Sequence, residues 1–205
     1  MGSIMRVFVT GLLLVLGMAS LAQAAGDPKA GQAKTAVCAG CHGADGNSAV
    51  PNFPKLAGQG ERYLIKQISD IKSGARVVVE MTGLTDGLSE QDIADIAAYF
   101  SAQNATVGKA DPELVANGEK LFRAGNMAKG IPACTGCHNP AGQGNAPAGF
   151  PKLGGQHAQY IETQLQKFRS GDRMNDGESR MMRDIAANMS DAEIKALASY
   201  ISGLY

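Results

Sequence analysis

Two copies of one short motif, Cys-x-x-Cys-His, constrain this 205-residue chain more than any other feature. The first copy runs from Cys38 to His42 and the second from Cys134 to His138. Together they contain all four cysteines and two of the three histidines in the sequence. Because this spacing of two cysteines and an adjacent histidine is the attachment signature of c-type haem, the sequence predicts two covalently bound haem groups.

In such a site each cysteine sulfur adds to a vinyl group of the haem, and the histidine binds the iron from one side. Two other interpretations explain the motifs less well. A zinc site uses Cys-x-x-Cys pairs that usually lie closer together than these, and a thioredoxin-like redox pair explains neither histidine. We therefore predict covalent attachment at Cys38, Cys41, Cys134 and Cys137, with His42 and His138 as iron ligands.

The chain also repeats itself outside the motifs. Phe-Pro-Lys-Leu at residues 53–56 recurs at residues 150–153, an offset of 97, and Gly58-Gln59 recurs as Gly155-Gln156 at the same offset. Near the end the offset grows to 101, because Ser89 matches Ser190. The repeat therefore predicts two similar domains in tandem, the second of which has four extra residues.

The repeat also selects the second iron ligands. Met81 is the only methionine between residues 25 and 108, and it lies eight residues before Ser89. Met182 lies eight residues before Ser190, whereas a slip of one residue would select its neighbour Met181. We predict that Met81 and Met182 are the thioether ligands. The remaining methionines are interpreted as core filler: Met127, Met174, Met181 and Met189.

The histidines give two further expectations. His157, the third histidine, matches Gly60 in the first copy, so we predict no ligand role for it and a position at the surface. The other ring nitrogen of each iron-binding histidine needs a fixed partner. We predict that loop carbonyls near Pro54 and Pro151 accept these N–H groups.

Helical signals occur in both copies, and no segment alternates like a strand. Residues 63–71 carry apolar side chains on one helical face. Ser89 and Ser190 each precede an acidic residue by three positions, as helix N-caps do. Asp111-Pro112 is typical of an N-cap followed by the first helical residue. The fold is therefore predicted to be all-α.

The chain divides into three predicted segments. Residues 1–24 have the pattern of a signal peptide, with Arg6, an apolar run and the cleavage site Ala22-Gln23-Ala24. The alternative is a retained membrane anchor, but the run is shorter than the roughly 20 residues that a spanning helix needs. An N-terminal domain at residues 25–108 and a C-terminal domain at residues 109–205 follow, with a linker near residues 103–109.

Charge excludes one class of partner. The sequence has 19 basic and 19 acidic side chains, whereas binding to nucleic acid requires a basic face. No segment after residue 24 is apolar enough to span a membrane, so we expect an exported, soluble protein. Peripheral association with the membrane surface is compatible with this expectation.

The sequence resembles the dihaem cytochrome c4 family over essentially the whole chain after residue 24. The resemblance rests on both Cys-x-x-Cys-His motifs, on residues 51–59 and 150–156, and on the segments around Met81 and Met182. It implies two class I cytochrome c domains with ligand pairs His42/Met81 and His138/Met182. It also implies a periplasmic electron carrier, not an enzyme, between a quinol-oxidising complex and a terminal haem–copper oxidase.

Two other functions are compatible with the motifs. A dihaem subunit could be docked to a dehydrogenase, as such subunits serve sulfide-oxidising flavoproteins. A haem enzyme such as a peroxidase would need one iron with an open position, which would require loss of the Met182 ligand.

Overall fold

The fold is built of helices joined by loops. The computed structural model describes residues 25–205, so the predicted signal peptide at residues 1–24 lies outside the described range. Within that range two isolated β-bridges occur and no longer strand forms, which confirms the all-α prediction. No helix among residues 25–205 combines the length and the apolar character needed to cross a membrane.

The first half, up to the linker, contains four α-helices and a short 3₁₀ helix at Val79–Met81. The α-helices are α1 at Pro28–Lys34, α2 at Ala36–His42, α3 at Glu61–Lys72 and α4 at Glu90–Ser101.

The second half follows the same plan with one additional α-helix and a 3₁₀ helix at Met127–Lys129. Its α-helices are α5 at Pro112–Ala124, α6 at Thr135–His138, α7 at Ala158–Ser170, α8 at Met181–Ala187 and α9 at Asp191–Ser202.

Reciprocal caps fix the start of the last helix in each half. The Ser89 hydroxyl accepts from the Asp92 backbone N–H at 3.1 Å, and the Asp92 carboxylate accepts from the Ser89 N–H at 2.8 Å. Ser190 and Glu193 repeat both bonds at 3.3 and 2.8 Å. The predicted starts of α4 and α9 are thus confirmed, because each pair satisfies N–H groups that a helix end leaves unbonded.

Aspartate followed by proline begins the first helix of each half. Asp111 caps α5 as predicted, and Asp27 caps α1, which we did not predict although it carries the same dipeptide. Each of these helices crosses the last helix of its half at a glycine. A Cβ atom at Gly31 would lie 2.0 Å from the Asp95 carbonyl oxygen, and one at Gly118 would lie 2.3 Å from that of Ala196. Only glycine permits this close approach of two backbones.

Each half has its own apolar core beneath its last helix. In the first half Leu64 packs with buried residues of α4, and in the second half α9 packs with Phe122 and Ile131. Cys38 lies against the first core and Cys134 against the second. The fold therefore places the first cysteine of each motif at the edge of a core.

The methionines are mostly not core residues. Met189 is 4% exposed and belongs to the second core, as predicted. Met127, Met174 and Met181 are 77%, 61% and 40% exposed, so the prediction that they fill the core is wrong. Their unbranched side chains lie on loops and a helix start, where no layer of the fold covers them.

Candidate functional site

Each motif histidine is the last residue of a short helix. α2 ends at His42 and α6 ends at His138. The next residue has a positive φ in both cases, 80° at Gly43 and 71° at Asn139. Glycine and asparagine are the residues that adopt this conformation most readily after a helix. The backbone thus turns away at once, and the two cysteines and the histidine of a motif remain on one short segment.

The ring of each motif histidine is fixed by a proline carbonyl. His42 Nδ1 lies 2.9 Å from the Pro54 oxygen, and His138 Nδ1 lies 2.9 Å from the Pro151 oxygen. A carbonyl oxygen only accepts, so Nδ1 carries the proton in both rings and a neutral ring has its lone pair on Nε2. The predicted partners of the two N–H groups are confirmed, and Nε2 has the form that binds a metal.

Burial keeps both imidazoles neutral. His42 is 8% exposed and His138 is 7% exposed. Burial lowers the pKa of each ring below its ordinary value, although the hydrogen bond to the proline carbonyl opposes part of this effect. A neutral imidazole is the iron-binding form, so the environment favours it at physiological pH.

A phenylalanine restrains each imidazole from the side. The rings of Phe53 and His42 lie 6.4 Å apart at an angle of 64°, and those of Phe150 and His138 lie 6.2 Å apart at 58°. Both phenylalanines belong to the repeated Phe-Pro-Lys-Leu segment. This segment therefore supplies two restraints on the ring, an aromatic edge and a hydrogen-bond acceptor.

The two predicted methionines occupy different local structures. Met81 is half-buried at the end of the 3₁₀ helix. Met182 is half-buried in the first turn of α8 and packs against the second core, whereas its neighbour Met181 is 40% exposed. Of the two adjacent candidates, the structure therefore places Met182 on the inner side.

The donor set fits haem better than the alternatives. No disulfide joins any two of the four cysteines. Among residues 25–205, no three His, Cys, Asp or Glu side chains converge as a zinc site requires. What the chain provides, twice, is a thiol pair and a neutral imidazole on one short segment at a core edge. This is the arrangement that covalent haem attachment uses.

The comparisons with known proteins agree with this site. The cytochrome c family profile matches residues 29–103 and 115–204. A cytochrome c4 of Pseudomonas aeruginosa is 63% identical over 201 residues, covering 98% of this chain and 100% of that protein. The chain belongs to the cytochrome c4 family. It is therefore a dihaem electron-transfer protein, not an enzyme, and it carries two covalent haem c groups.

Other similarities extend this result. The crystal structure of reduced recombinant cytochrome c4 from Pseudomonas stutzeri superimposes with a TM-score of 0.87 at 60% identity, covering 88% of this chain and 100% of that one. A thiosulfate dehydrogenase electron acceptor of Stutzerimonas stutzeri is 39% identical, over 82% of this chain and 78% of that protein. One of these relatives is thus named for a redox partner, thiosulfate dehydrogenase, whereas the cytochromes c4 are not.

Two arginines form a buried polar cluster between the halves of this cytochrome c4 family member. Arg76 donates to Gln67 at 2.8 Å and, across the interface, to the Tyr160 hydroxyl at 3.0 Å. Arg173 donates to Gln164 at 2.9 Å and to the Tyr63 hydroxyl at 3.2 Å. The second set repeats the first at the offset of 97. The cluster was not predicted from the sequence, although Arg76 and Arg173 match at the same offset as the rest of the repeat.

The arginines also change the acidity of a tyrosine in this cluster. Burial alone would raise the pKa of Tyr63, but the positive charges of Arg173 and Arg76 outweigh it and lower the pKa below its usual value. The cluster is thus electropositive. It is also shielded from solvent, since Arg173 is only 7% exposed. Its hydrogen bonds join the two halves at a fixed relative position.

His157 belongs to the same interface, contrary to our expectation of a surface residue. It is half-buried, and its Nε2 lies 2.8 Å from the Ser48 carbonyl oxygen in the other half. Position in one copy of a repeat does not reveal contacts between copies, so no sequence pattern indicated this bond.

Proposed function

We propose that this family member carries single electrons in the periplasm through two six-coordinate haems, bound by His42 with Met81 and by His138 with Met182. The observation that carries the proposal is the repeated pair of buried imidazoles, each with Nδ1 bonded to a proline carbonyl and Nε2 left to bind iron. When bound, each haem supplies an iron that alternates between ferric and ferrous states and so takes up or gives off one electron.

The chain's own residues set the properties of these sites. The imidazole is held neutral and oriented before any electron arrives, so little rearrangement accompanies the change of charge. A thioether as the second ligand favours the ferrous state and raises the potential. If His42 with Met81 and His138 with Met182 hold the two irons, oxygen and peroxide would find no open position, which supports a carrier over a peroxidase.

We place the boundary between the two domains at residues 108 and 109. In support, the Thr106 backbone N–H donates to Asn47 of the first half at 2.8 Å. The Gly108 N–H donates to the Ser202 carbonyl of the second half at 3.0 Å. The linker therefore passes from one half to the other between these two bonds.

We infer export to the periplasm from the signal-peptide pattern of residues 1–24. For a periplasmic member of the cytochrome c4 family, the proposed donor is a quinol-oxidising complex and the proposed acceptor is a terminal haem–copper oxidase. Both partners are membrane complexes, so peripheral association with the membrane surface is part of the proposal.

A second candidate is an electron-transfer protein that serves a dehydrogenase directly. The observation in its favour is the 39% identity to a thiosulfate dehydrogenase electron acceptor. This extends our sequence-based alternative of a subunit docked to a sulfide-oxidising flavoprotein. Comparing the rates at which the purified protein is reduced by a quinol-oxidising complex and by thiosulfate dehydrogenase distinguishes the two candidates.

Carbon monoxide tests the ligand assignment. The gas binds ferrous haem only where an axial position is open or easily vacated. We expect the visible spectrum of the dithionite-reduced protein to remain unchanged under carbon monoxide. A rapid change in one of the two haems would mean an open iron, and the proposed carrier function would give way to an enzyme or sensor.

A further inference from the structure

Gln59 and Gln156 each bind the backbone of the opposite half through equivalent hydrogen bonds. We call these two residues and their bonds the glutamine clasp. The side-chain Oε1 of Gln156 accepts from the Lys55 backbone N–H at 2.9 Å, and its Nε2 donates to the Lys55 carbonyl at 2.9 Å. Gln59 does the same to Lys152, at 2.8 and 3.0 Å. Gln59 is 6% exposed and Gln156 is 7% exposed, so both bond pairs are shielded from water.

Each amide is also anchored within its own half. Gln156 Oε1 accepts a second bond from the His157 backbone N–H at 2.9 Å, and Gln59 Oε1 accepts from the Gly60 N–H at 3.0 Å. Backbone N–H groups only donate, which fixes the oxygen of each amide on that side. The glutamines are thus held in one orientation by groups from both halves.

The peptide group whose N–H each glutamine binds also holds a motif histidine, the proposed iron ligand. The peptide bond between Pro54 and Lys55 contributes its C=O to His42 Nδ1–H and its N–H to Gln156. A continuous path therefore runs from the His42 ring through one peptide group to the side chain of Gln156 in the other half. The equivalent path in the other direction runs from His138 through the peptide group between Pro151 and Lys152 to Gln59.

Hydrogen bonds in such a chain reinforce one another. A peptide whose N–H donates becomes more polarised, and its carbonyl oxygen becomes a stronger acceptor. A stronger acceptor at Nδ1 makes the imidazole a more electron-rich ligand at Nε2. Such a ligand stabilises the ferric state and lowers the potential of the iron that it binds.

We propose that each clasp glutamine is a positioning residue for the haem of the opposite domain. Gln156 of the C-terminal half strengthens the hydrogen bond on His42, and Gln59 of the N-terminal half strengthens the one on His138. Each domain thereby lowers the potential of the other domain's haem, through the hydrogen bonds of one glutamine rather than through net charge. This inference rests on the proposed role of His42 and His138 as iron ligands.

The test exchanges one glutamine at a time in the holoprotein. In Gln156→Leu the amide is lost, so the His42 haem is expected to shift to a higher midpoint potential while the His138 haem stays unmoved. Gln59→Leu is expected to do the reverse. Proton NMR at poised potentials resolves the two haems, and in the reduced protein the Nδ1 proton of the affected histidine is expected to move upfield.

The matched control is His157→Phe. This change removes the hydrogen bond to the Ser48 carbonyl across the same interface but leaves the backbone N–H that supports Gln156. In this variant we expect no shift of potential that is confined to one of the two haems. If Gln156→Leu and the control shift both potentials alike, the glutamine only holds the interface together and the proposal is wrong.

A second variant covers the case in which Gln156→Leu does not fold. Gln156→Glu keeps an oxygen acceptor for the Lys55 N–H and makes it stronger, because a charged acceptor forms a stronger bond. The Nδ1 proton of His42 is then expected to move downfield, with the potential of the His42 haem lowered more than that of the other. An unmoved Nδ1 proton would overturn the proposal.

Wild-type spectra separate this proposal from the proposed function. Methyl resonances of two iron-bound methionines must be present in the reduced protein before the variants are compared. If they are absent, the proposed ligands and the inference fail together. If they are present and the potentials of folded glutamine variants do not move, the inference alone is wrong.

Discussion

The two halves hold their methionines in different ways. Met81 lies in a three-residue 3₁₀ helix between Val77 and Leu84, which are 70% and 45% exposed. Met182 lies in the seven-residue helix α8, whose Arg183 forms an ion pair with Asp176 at 2.7 Å. The Arg183 side chain is only 14% exposed and that of Asp176 only 6%. The second methionine is therefore anchored by a buried ion pair for which the first has no equivalent among residues 77–84.

The four extra residues of the second copy account for this difference. The offset is 97 at Arg76 and Arg173 but 101 at Met81 and Met182, so the insertion falls between Arg173 and Met182. Asp176 lies in the inserted segment and also accepts the Arg183 backbone N–H at 3.0 Å. With four more residues, the second copy has a helix whose first turn is bonded to Asp176 where the first copy has one turn of 3₁₀ helix, and its proposed iron ligand is held more firmly.

The largest expected effect comes from removing the methionines themselves. Met81→Ala and Met182→Ala should each open one iron, because alanine has no donor atom. Carbon monoxide added to the reduced variants should change the spectrum of one of the two haems in each case. Met181→Ala is the matched control, since its side chain is exposed. A response of that control in place of Met182→Ala would transfer the ligand role to Met181.

Breaking the ion pair between Asp176 and Arg183 should leave Met182 as weakly held as Met81. Asp176→Asn leaves Arg183 without its partner and should lower the free energy of unfolding by about 2 kcal/mol, less than a fully buried pair because both groups touch solvent. In moderate denaturant, carbon monoxide should then reach the His138 haem as readily as the His42 haem. In the wild type we expect the His42 haem to respond first. Stopped-flow mixing measures both rates.

Glu178→Gln is the control for Asp176→Asn. It removes the same charge from the same loop, at an exposed side chain. We expect stability and carbon monoxide rates close to those of the wild type. Equal effects of the two variants would mean that loop charge, not the ion pair, secures Met182.

The smallest expected effect on stability comes from the carboxylate that caps the last helix, a feature that both halves share. Lys129, with Ser190 and Asn126, lowers the pKa of Glu193 from 4.5 to about 2. A carboxylate with a lowered folded pKa stabilises the fold above its unfolded pKa, and this contribution is lost as pH falls from 4.5 to about 2. Glu193→Gln should therefore lower the free energy of unfolding by about 1 kcal/mol at pH 7 and by almost nothing near pH 2.

Asp92 offers the comparison for Glu193. It occupies the same capping position in the first half and pairs with Lys34 at 2.5 Å, and this pairing lowers its pKa strongly. Asp92→Asn should also lower stability at neutral pH, and because the folded pKa of Asp92 is lowered further than that of Glu193, its effect should fade only at a lower pH. Denaturant unfolding between pH 2 and pH 7 measures both variants. A penalty of Glu193→Gln that persists at pH 2 would mean that shape rather than charge matters at this cap.

The sequence predicted the local features well. The starts at Ser89, Asp111 and Ser190 depend on side chains within three residues, and all three were found where expected. The partners of the motif histidines were predicted for a similar reason, since both carbonyls belong to the repeated segment near Pro54 and Pro151. Helix α1 was missed although Asp27-Pro28 carried the signal, because its seven residues are too few to show a helical period.

Contacts between the halves could not be predicted in this way. His157 was expected at the surface, because one copy of a repeat does not tell which side of it meets the other copy. The arginine cluster and the glutamine clasp have the same origin. Their residues repeat at an offset of 97, but a repeat in sequence does not state that the copies bond to each other.

By itself the sequence determined the chemistry of this protein. Two Cys-x-x-Cys-His motifs and one methionine at a fixed distance before each last helix predict the donor atoms, since covalent attachment and ligation depend on residue type and short spacing. Only the tertiary structure shows which groups join the two proposed sites. Only the packing of one half on the other brings Gln156 to Lys55 and Gln59 to Lys152, because those bonds join residues about a hundred positions apart in the chain.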